Sequence, residues 1–281
     1  MVYKIGYYPG CSLQGMQKPF DTSVKKVCKK VGIQLMEPED WNCCGATSGH
    51  AVDHELALTL DARNLNLIAA QGVTEATSPC SACYSNLKAC SLHLQDPAQK
   101  ALAEKNLGEE SKNLNVITIV ELLNRPEIMA NLKRNMTRKF RGLKVACYYG
   151  CLMVRPRTDT GAEDSENPMG MDNLLRTVGI ETPDWYCKTE CCGASSLLNN
   201  PEISQIRIRD VLNSAQASGA DAIAVACPLC HMNLAMTLED QGKKIPVVYF
   251  TQLLGLALGC NVKDVELNKM LVQYDWDSKL I

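Results

Sequence analysis

Short apolar runs alternate with stretches of helical spacing along most of this chain. Residues 2–8 and 144–149 are brief β-rich runs that end at Gly-Cys, as opening strands would. Residues 22–31 place Val24, Val27, Cys28 and Val31 at helical spacing and stop at Gly32. Residues 56–70 continue in the same way and stop at Gly72. Farther on, 203–217 reads as a helix ended by Gly219, and 222–226 as a strand directly before Cys227. Each half is therefore predicted as strand, helix, strand, Cys-Cys-Gly loop, long helix, strand, Cys-x-x-Cys, helix. That order predicts an α/β fold with a small, mostly parallel sheet and flanking helices in each half. In such sheets ligands collect at the carboxyl ends of strands, where Cys11, Cys80, Cys151 and Cys227 fall. Residues 97–143 link the halves through a helix, the run 116–120 and a basic helical stretch. The run 246–250 with 251–258 repeats part of that link.

The halves also match in cysteine. The first contains Tyr-Tyr-Pro-Gly-Cys11, then Cys43-Cys44-Gly-Ala-Thr-Ser, then Cys80-Ser-Ala-Cys83-Tyr-Ser-Asn-Leu. The second contains Tyr-Tyr-Gly-Cys151, then Cys191-Cys192-Gly-Ala-Ser-Ser, then Cys227-Pro-Leu-Cys230-His-Met-Asn-Leu. Cys44 to Cys80 is 36 positions and Cys192 to Cys227 is 35; Cys11 to Cys43 is 32 and Cys151 to Cys191 is 40. The Pro- and Asp-rich stretch 155–168, expected to be an exposed loop, absorbs the excess of 40 − 32 = 8 positions. The chain is a duplicated domain, expected to divide into 1–143 and 144–281. One alignment stays open. Pro-Glu-Asp-Trp41-Asn-Cys43 resembles Pro183-Asp-Trp-Tyr-Cys187, although the ungapped Cys-Cys-Gly-Ala string favours Cys191 as the partner of Cys43.

Composition narrows the chemistry. With 29 Lys and Arg against 31 Asp and Glu over 281 residues, no basic surplus exists to neutralise phosphates, and a nucleic-acid role is disfavoured. Residues 1–10 lack the regions of a secretory signal, and no apolar run approaches the roughly 18 residues of a spanning helix. A cytoplasmic location follows as the expectation. There, 15 cysteines mean metal or redox chemistry rather than disulfides. Cys28 and Cys90 fall in helical patterns and are expected to act as small apolar residues, as is Cys260. Cys147 and Cys187 are the candidate exceptions.

A structural zinc site typically takes two Cys-x-x-Cys pairs, but each half has one pair, an adjacent Cys-Cys and a distant single. Adjacent cysteines point apart and suit separate irons better than one tetrahedral ion. Five repeated cysteines exceed the four of an ordinary four-iron cluster, implying a spare thiol or a larger, less regular cluster. Gly45 and Gly193 beside the pairs suit close backbone approach to a cluster or special dihedral angles. A dithiol redox motif remains the competing reading of Cys80-Ser-Ala-Cys83. His50 and His54 lack the glutamate of a zincin motif and read as solvent-facing or capping. No Gly-x-Gly-x-x-Gly follows a strand and no phosphate loop is present, so no flavin or nicotinamide site is recognisable.

The doubled Cys, Cys-Cys-Gly and Cys-x-x-Cys pattern resembles the cysteine-rich CCG domain family. Tyr-Tyr-Pro-Gly-Cys11, Asp-Trp-Asn-Cys43-Cys44-Gly and Ala-Cys227-Pro-Leu-Cys230 resemble the B-type subunits of heterodisulfide reductases and their bacterial relatives. The resemblance runs from about residue 3 to residue 250. It implies one noncubane [4Fe–4S] cluster per domain, each with five thiolate ligands. Carried over by position, these are Cys11, Cys43, Cys44, Cys80 and Cys83, then Cys151, Cys191, Cys192, Cys227 and Cys230. It also implies a small-thiol disulfide cleaved between the clusters, with electrons from a flavin-bearing subunit through a small iron–sulfur subunit. The substrate could equally be a sulfur carrier, and the chain a noncatalytic electron-transfer or scaffold subunit, or a zinc-stabilised module. Arg155, Arg157 and Lys188 read chiefly as surface charge and otherwise as partners of a sulfonate or phosphate.

Overall fold

The computed structural model describes residues 2–46, 49–162, 164–236 and 245–281. Among them, seven short strands form two parallel sheets. The first has the order β2-β1-β3-β4, from β1 (Tyr3–Tyr7), β2 (Ile33–Met36), β3 (Glu75–Ser78) and β4 (Asn115–Thr118). The second has the order β5-β6-β7, from β5 (Val145–Tyr148), β6 (Ala222–Val225) and β7 (Val247–Tyr249). Helices fill the connections, as parallel pairing requires. Helix Lys18–Lys30 starts with Pro in its first turn, buries Phe20, Val24, Val27 and Cys28, and is followed by Gly32 at φ 83°. Helix His54–Ala69 is capped by Asp53, whose carboxylate accepts the Leu56 N–H at 3.0 Å. Its counterpart Pro201–Ala217 is capped by Asn200.

The second sheet lacks a counterpart of β2, where the sequence predicts one. Glu181 makes only an isolated parallel bridge to Lys144. Between Gly32 and Pro38 lie five residues, enough for a strand; between Gly179 and Pro183 lie three. Pro183 offers no N–H to a ladder and restricts the residue before it, so pairing stops after one bridge. The stretch 155–168 is not wholly an exposed loop either, since it contains helix Arg157–Thr160 with Thr160 buried. The expected repeat of the linking segment is present: β7 runs directly into helix Phe250–Ala257, as β4 runs into helix Ile119–Asn124.

The sheets share one hydrophobic core, in which Ile5, Phe20 and Val27 of the first half join Val225, Tyr249 and Leu254 of the second. Phe20 stacks on Tyr249 with centroids 4.1 Å apart, and Ser23 Oγ lies 2.6 Å from Thr251 Oγ1. Each such buried aromatic contributes about 2–3 kcal/mol. This shared core fixes the carboxyl ends of both sheets against each other.

Candidate metal centre

Six of the ten repeated cysteines lie where strands give way to loops or helices, and the other four form the two Cys-Cys-Gly loops. Cys11 opens a short helix after β1, and Cys80 is the N-cap of helix Ser81–His93, with Cys83 in its first turn. Cys151 follows β5, while Cys227 and Cys230 stand at the start of helix Pro228–Met236 after β6. The fold gathers them into two equivalent sets. Sγ of Cys43 lies 3.7 Å from Cys11 and Sγ of Cys44 lies 3.4 Å from Cys83. In the second set Cys192 lies 3.6 Å from Cys230, and the Cys151 thiol lowers that of Cys191. Cys80 and Cys227 perturb one another's thiols, so the sets approach across the boundary between the halves, where Ser81 Oγ donates to the Ala226 carbonyl at 3.3 Å.

The same scaffold recurs around each set. The Tyr8 hydroxyl donates to the Asn42 carbonyl at 2.7 Å, and Tyr148 donates to the Glu190 carbonyl at 2.6 Å. Asn86 Nδ2 donates to the Cys44 carbonyl at 3.0 Å, and Asn233 Nδ2 to the Cys192 carbonyl at 2.6 Å. These ties fix the Cys-Cys loops against the strand and helix that carry the other thiols. A Cβ on Gly10 would sit 2.7 Å from Cys83 Sγ, and one on Gly150 would sit 3.2 Å from Cys230 Sγ. Both glycines have positive φ. Gly45 and Gly193 also have positive φ, but a Cβ there would meet backbone: Gly49 Cα at 3.3 Å and Ser204 Cα at 2.9 Å. Gly193 contributes its N–H to Cys191 Sγ at 3.3 Å. Sequence reasoning singles out Gly45 and Gly193 and misses Gly10, Gly150, Asn86 and Asn233. The available signals are a Gly before the first Cys and an Asn three residues after the last Cys in both copies.

The neighbouring thiols shift one another. Hydrogen bonds from Cys43 and then Cys83 pull the Cys44 thiol down to about 3, while Cys43 itself is pushed up. A hydrogen bond from Cys151 brings Cys191 down to about 6. Cys227 is likewise lowered by Cys230 and Cys80, and Cys80 is raised by Cys227. Among the described residues, no three His, Cys, Asp or Glu side chains close on one point tightly enough for a single metal ion. The donor set is soft and all-sulfur, which suits iron–sulfur chemistry, and the Cβ-free space at Gly10 and Gly150 leaves room beside the sulfurs.

The remaining candidates sort themselves by position. Cys28, Cys90, Cys147 and Cys260 are buried. Cys187 turns away from the set, its thiol donating to the Asp210 carbonyl at 3.6 Å, and it shares a 280 Å³ cavity with Cys191 and Arg207. Lys188 is not surface charge. Its side chain is 4% exposed and pairs with Asp172 at 3.3 Å. Arg155 binds Glu166 and Thr189, and Arg157 lines a 780 Å³ cavity with Tyr149, Met153 and Thr160. His54 is exposed, with its ring near His93; the His50 side chain lies outside the described residues. No helix among the described residues is long and apolar enough to cross a membrane.

A family model described as the cysteine-rich domain, CCG, matches residues 5–88 and 145–235. Over 97% of this chain and 98% of the relative, the sequence is 29% identical to the 8-methylmenaquinol:fumarate reductase membrane anchor subunit of Wolinella succinogenes. It is 27% identical to the B-type subunit of the ferredoxin:CoB-CoM heterodisulfide reductase of Methanosarcina mazei, over 96% of this chain and 94% of that one. A crystal structure of a hypothetical protein from Helicobacter pylori superposes with a TM-score of 0.76 at 14% identity. That match covers 97% of this chain and 52% of the other, and it establishes likeness of fold alone.

Proposed function

The chain belongs to the cysteine-rich CCG domain family, and on that premise we propose that it is the catalytic iron–sulfur subunit of a heterodisulfide reductase-like complex. Each half, dividing at residues 143 and 144, would hold one noncubane [4Fe–4S] cluster. The ligands would be Cys11, Cys43, Cys44, Cys80 and Cys83, then Cys151, Cys191, Cys192, Cys227 and Cys230. The observation that carries this reading is the pair of all-thiol sets, with Cys43 beside Cys11 and Cys44 beside Cys83 in one and Cys192 beside Cys230 in the other, approaching at Cys80 and Cys227. Cleaving a disulfide takes two electrons and two protons and yields two thiols, a stoichiometry suited to two adjacent one-electron centres. Bound clusters would supply those electrons and Lewis-acidic iron for the released sulfurs. The protein's part is positional: Tyr8, Tyr148, Asn86 and Asn233 hold the Cys-Cys loops, while Gly10 and Gly150 keep the space beside Cys83 and Cys230 open. Electrons would arrive from a flavin-bearing subunit through a small iron–sulfur subunit in the cytoplasm.

Iron, acid-labile sulfide and zinc per chain, on protein purified without oxygen, test the cofactor. About eight irons support the reading, and zinc alone overturns it. Turnover of small-thiol disulfides with a reduced dye then tests catalysis. A second reading, a noncatalytic electron-transfer subunit of a quinol-linked complex, is favoured by the 29% identity to a quinol:fumarate reductase anchor subunit. Full iron content with no turnover of any disulfide would select it.

A further inference from the structure

We infer that the two cysteine sets are unequally secured: a buried clamp of Tyr149, Asp172 and Lys188 locks the second, and the first is the open set from which iron is lost first. This rests on the iron–sulfur reading above and adds a division of labour within it. Cys11 and Cys43 are exposed, whereas Cys151 and Cys191 are only partly so.

The difference lies in the residues that flank each set. Tyr149, two residues before Cys151, donates its backbone N–H to the Lys188 carbonyl at 2.9 Å. Its hydroxyl donates to Asp172 Oδ2 at 2.8 Å and accepts the Met171 N–H at 2.6 Å. Lys188, three residues before Cys191, reaches the same Asp172 carboxylate at 3.3 Å and donates to Asn167 Oδ1 at 2.9 Å. The segment bearing Cys151 is thus joined to the segment bearing Cys191 through an ion pair whose side chains are 4% and 1% exposed. Arg155 adds a second tie, donating to Thr189 Oγ1 at 3.2 Å.

Among the described residues the first half has a looser counterpart: the Tyr7 hydroxyl donates to Asp21 Oδ1 at 2.7 Å and Lys25 pairs with that carboxylate at 2.9 Å, but the Lys25 side chain is 44% exposed. Two residues before Cys11 stands Pro9, which has neither an N–H nor a hydroxyl to give. Three residues before Cys43 stands Asp40, 84% exposed and paired with Arg63 on the surface. Four residues after Cys11, where the second half has Arg155, stands Gly15. An exposed ion pair is screened and constrains little. A buried one cannot open without leaving a charge uncompensated. Both halves keep the tyrosine tie to the Cys-Cys loop, and the first adds a buried amide pair of Asn64 with the Asn42 backbone, so what the second alone has among the described residues is a buried ion pair joining its two cysteine segments. The open first set is accordingly the side from which a chelator or oxygen approaches.

Tyr149, Asp172 and Lys188 are positioning residues, and iron release from the loaded full-length chain tests them. Under an excess of a ferrous chelator without oxygen, iron should leave in two phases of about four irons each. Tyr149→Phe, and the charge-neutral pair Lys188→Met with Asp172→Asn, should speed the slow phase by roughly tenfold, the worth of one hydrogen bond to a charged group. The fast phase should not change in either variant, and Asp40→Asn should alter neither phase. An electron paramagnetic resonance spectrum taken between the phases should retain the signals of one centre. A single phase in the parent protein, or equal acceleration of both phases in Tyr149→Phe, overturns the inference alone. A chain that takes up no iron overturns the functional reading and the inference together.

Discussion

Tyr148 donates its hydroxyl at 2.6 Å to the carbonyl of Glu190, the residue before Cys191, and Tyr8 treats Asn42, the residue before Cys43, in the same way at 2.7 Å. The strand that leads to the first cysteine of each set therefore also fixes the loop that carries the next two. Each tyrosine is itself buried, so its hydroxyl has few alternatives to that carbonyl. Tyr148→Phe and Tyr8→Phe should each lower unfolding free energy by about 1 kcal/mol, the usual net worth of such a bond. Urea unfolding of the iron-free chain measures this. The double variant should show the sum, because the two sites share no partner. A strongly non-additive result would mean that the halves are coupled through these loops.

Gly10 and Gly150 make a second matched pair with unequal tolerances. Both have positive φ, which costs an alanine about 1–2 kcal/mol. Beyond that strain, a Cβ would stand 2.7 Å from Cys83 Sγ at Gly10 but 3.2 Å from Cys230 Sγ at Gly150. Gly10→Ala must push a sulfur aside, whereas Gly150→Ala needs only a small shift. Iron per chain after identical anaerobic loading should fall by about half in Gly10→Ala, one centre of two, and less in Gly150→Ala. Equal retention in both would mean that Cys83 has room to move.

The parallel sheets, the duplication and the ten clustered cysteines are legible because each leaves a local or repeated mark. Alternating apolar runs mark strands and helices, and Gly32, Gly72 and Gly219 mark helix ends. The absent second-half strand escapes sequence reading because residues 179–183 have the right chemistry and too short a span, which matters only once Pro183 meets a neighbouring strand. Lys188 escapes it for a similar reason. A lysine between Cys187 and Thr189 gives no hint of Asp172, sixteen positions earlier, which comes beside it only in the folded chain. The approach of Cys80 to Cys227 is likewise a property of how the halves dock, and no spacing within either half encodes it.

At the amino end of β3, an inner strand of the first sheet, Arg125 grips the Glu75 carboxylate with two bonds of 2.8 and 2.7 Å. Those bonds, opposed by burial and aided by Tyr3 and Asn115, bring the carboxyl down to about 2 from 4.5. A depressed carboxyl contributes stability above its unfolded value and loses it as pH falls through the folded one. The contribution of Glu75 is thus complete above about pH 4.5 and fades toward about 2. Glu75→Gln should be less stable than the parent at neutral pH, and the gap should close over that window. Urea midpoints of both iron-free proteins at about pH 6 and about pH 3 measure the gap. A gap that does not change with pH would mean the ion pair contributes nothing beyond packing.

Cys187 and Cys191 offer the sharpest test of which sulfurs matter, because the sequence alone allows either to match Cys43. The fold separates them: the Cys191 thiol interacts with that of Cys151, while Cys187 faces the helix Pro201–Ala217 and donates to the Asp210 carbonyl. Burial also pushes the Cys187 thiol up, with no repeated cysteine among the causes. Cys187→Ala should therefore keep its full iron content and lose only the packing of one small side chain. Cys191→Ser should lose about four irons, those of the second set, and leave the first set's spectrum intact. Its disulfide turnover should fall to background, since two adjacent centres are needed to deliver two electrons. Should Cys187→Ala lose iron and Cys191→Ser retain it, the loop between them must rearrange on loading, and Cys187 would replace Cys191 in the ligand set.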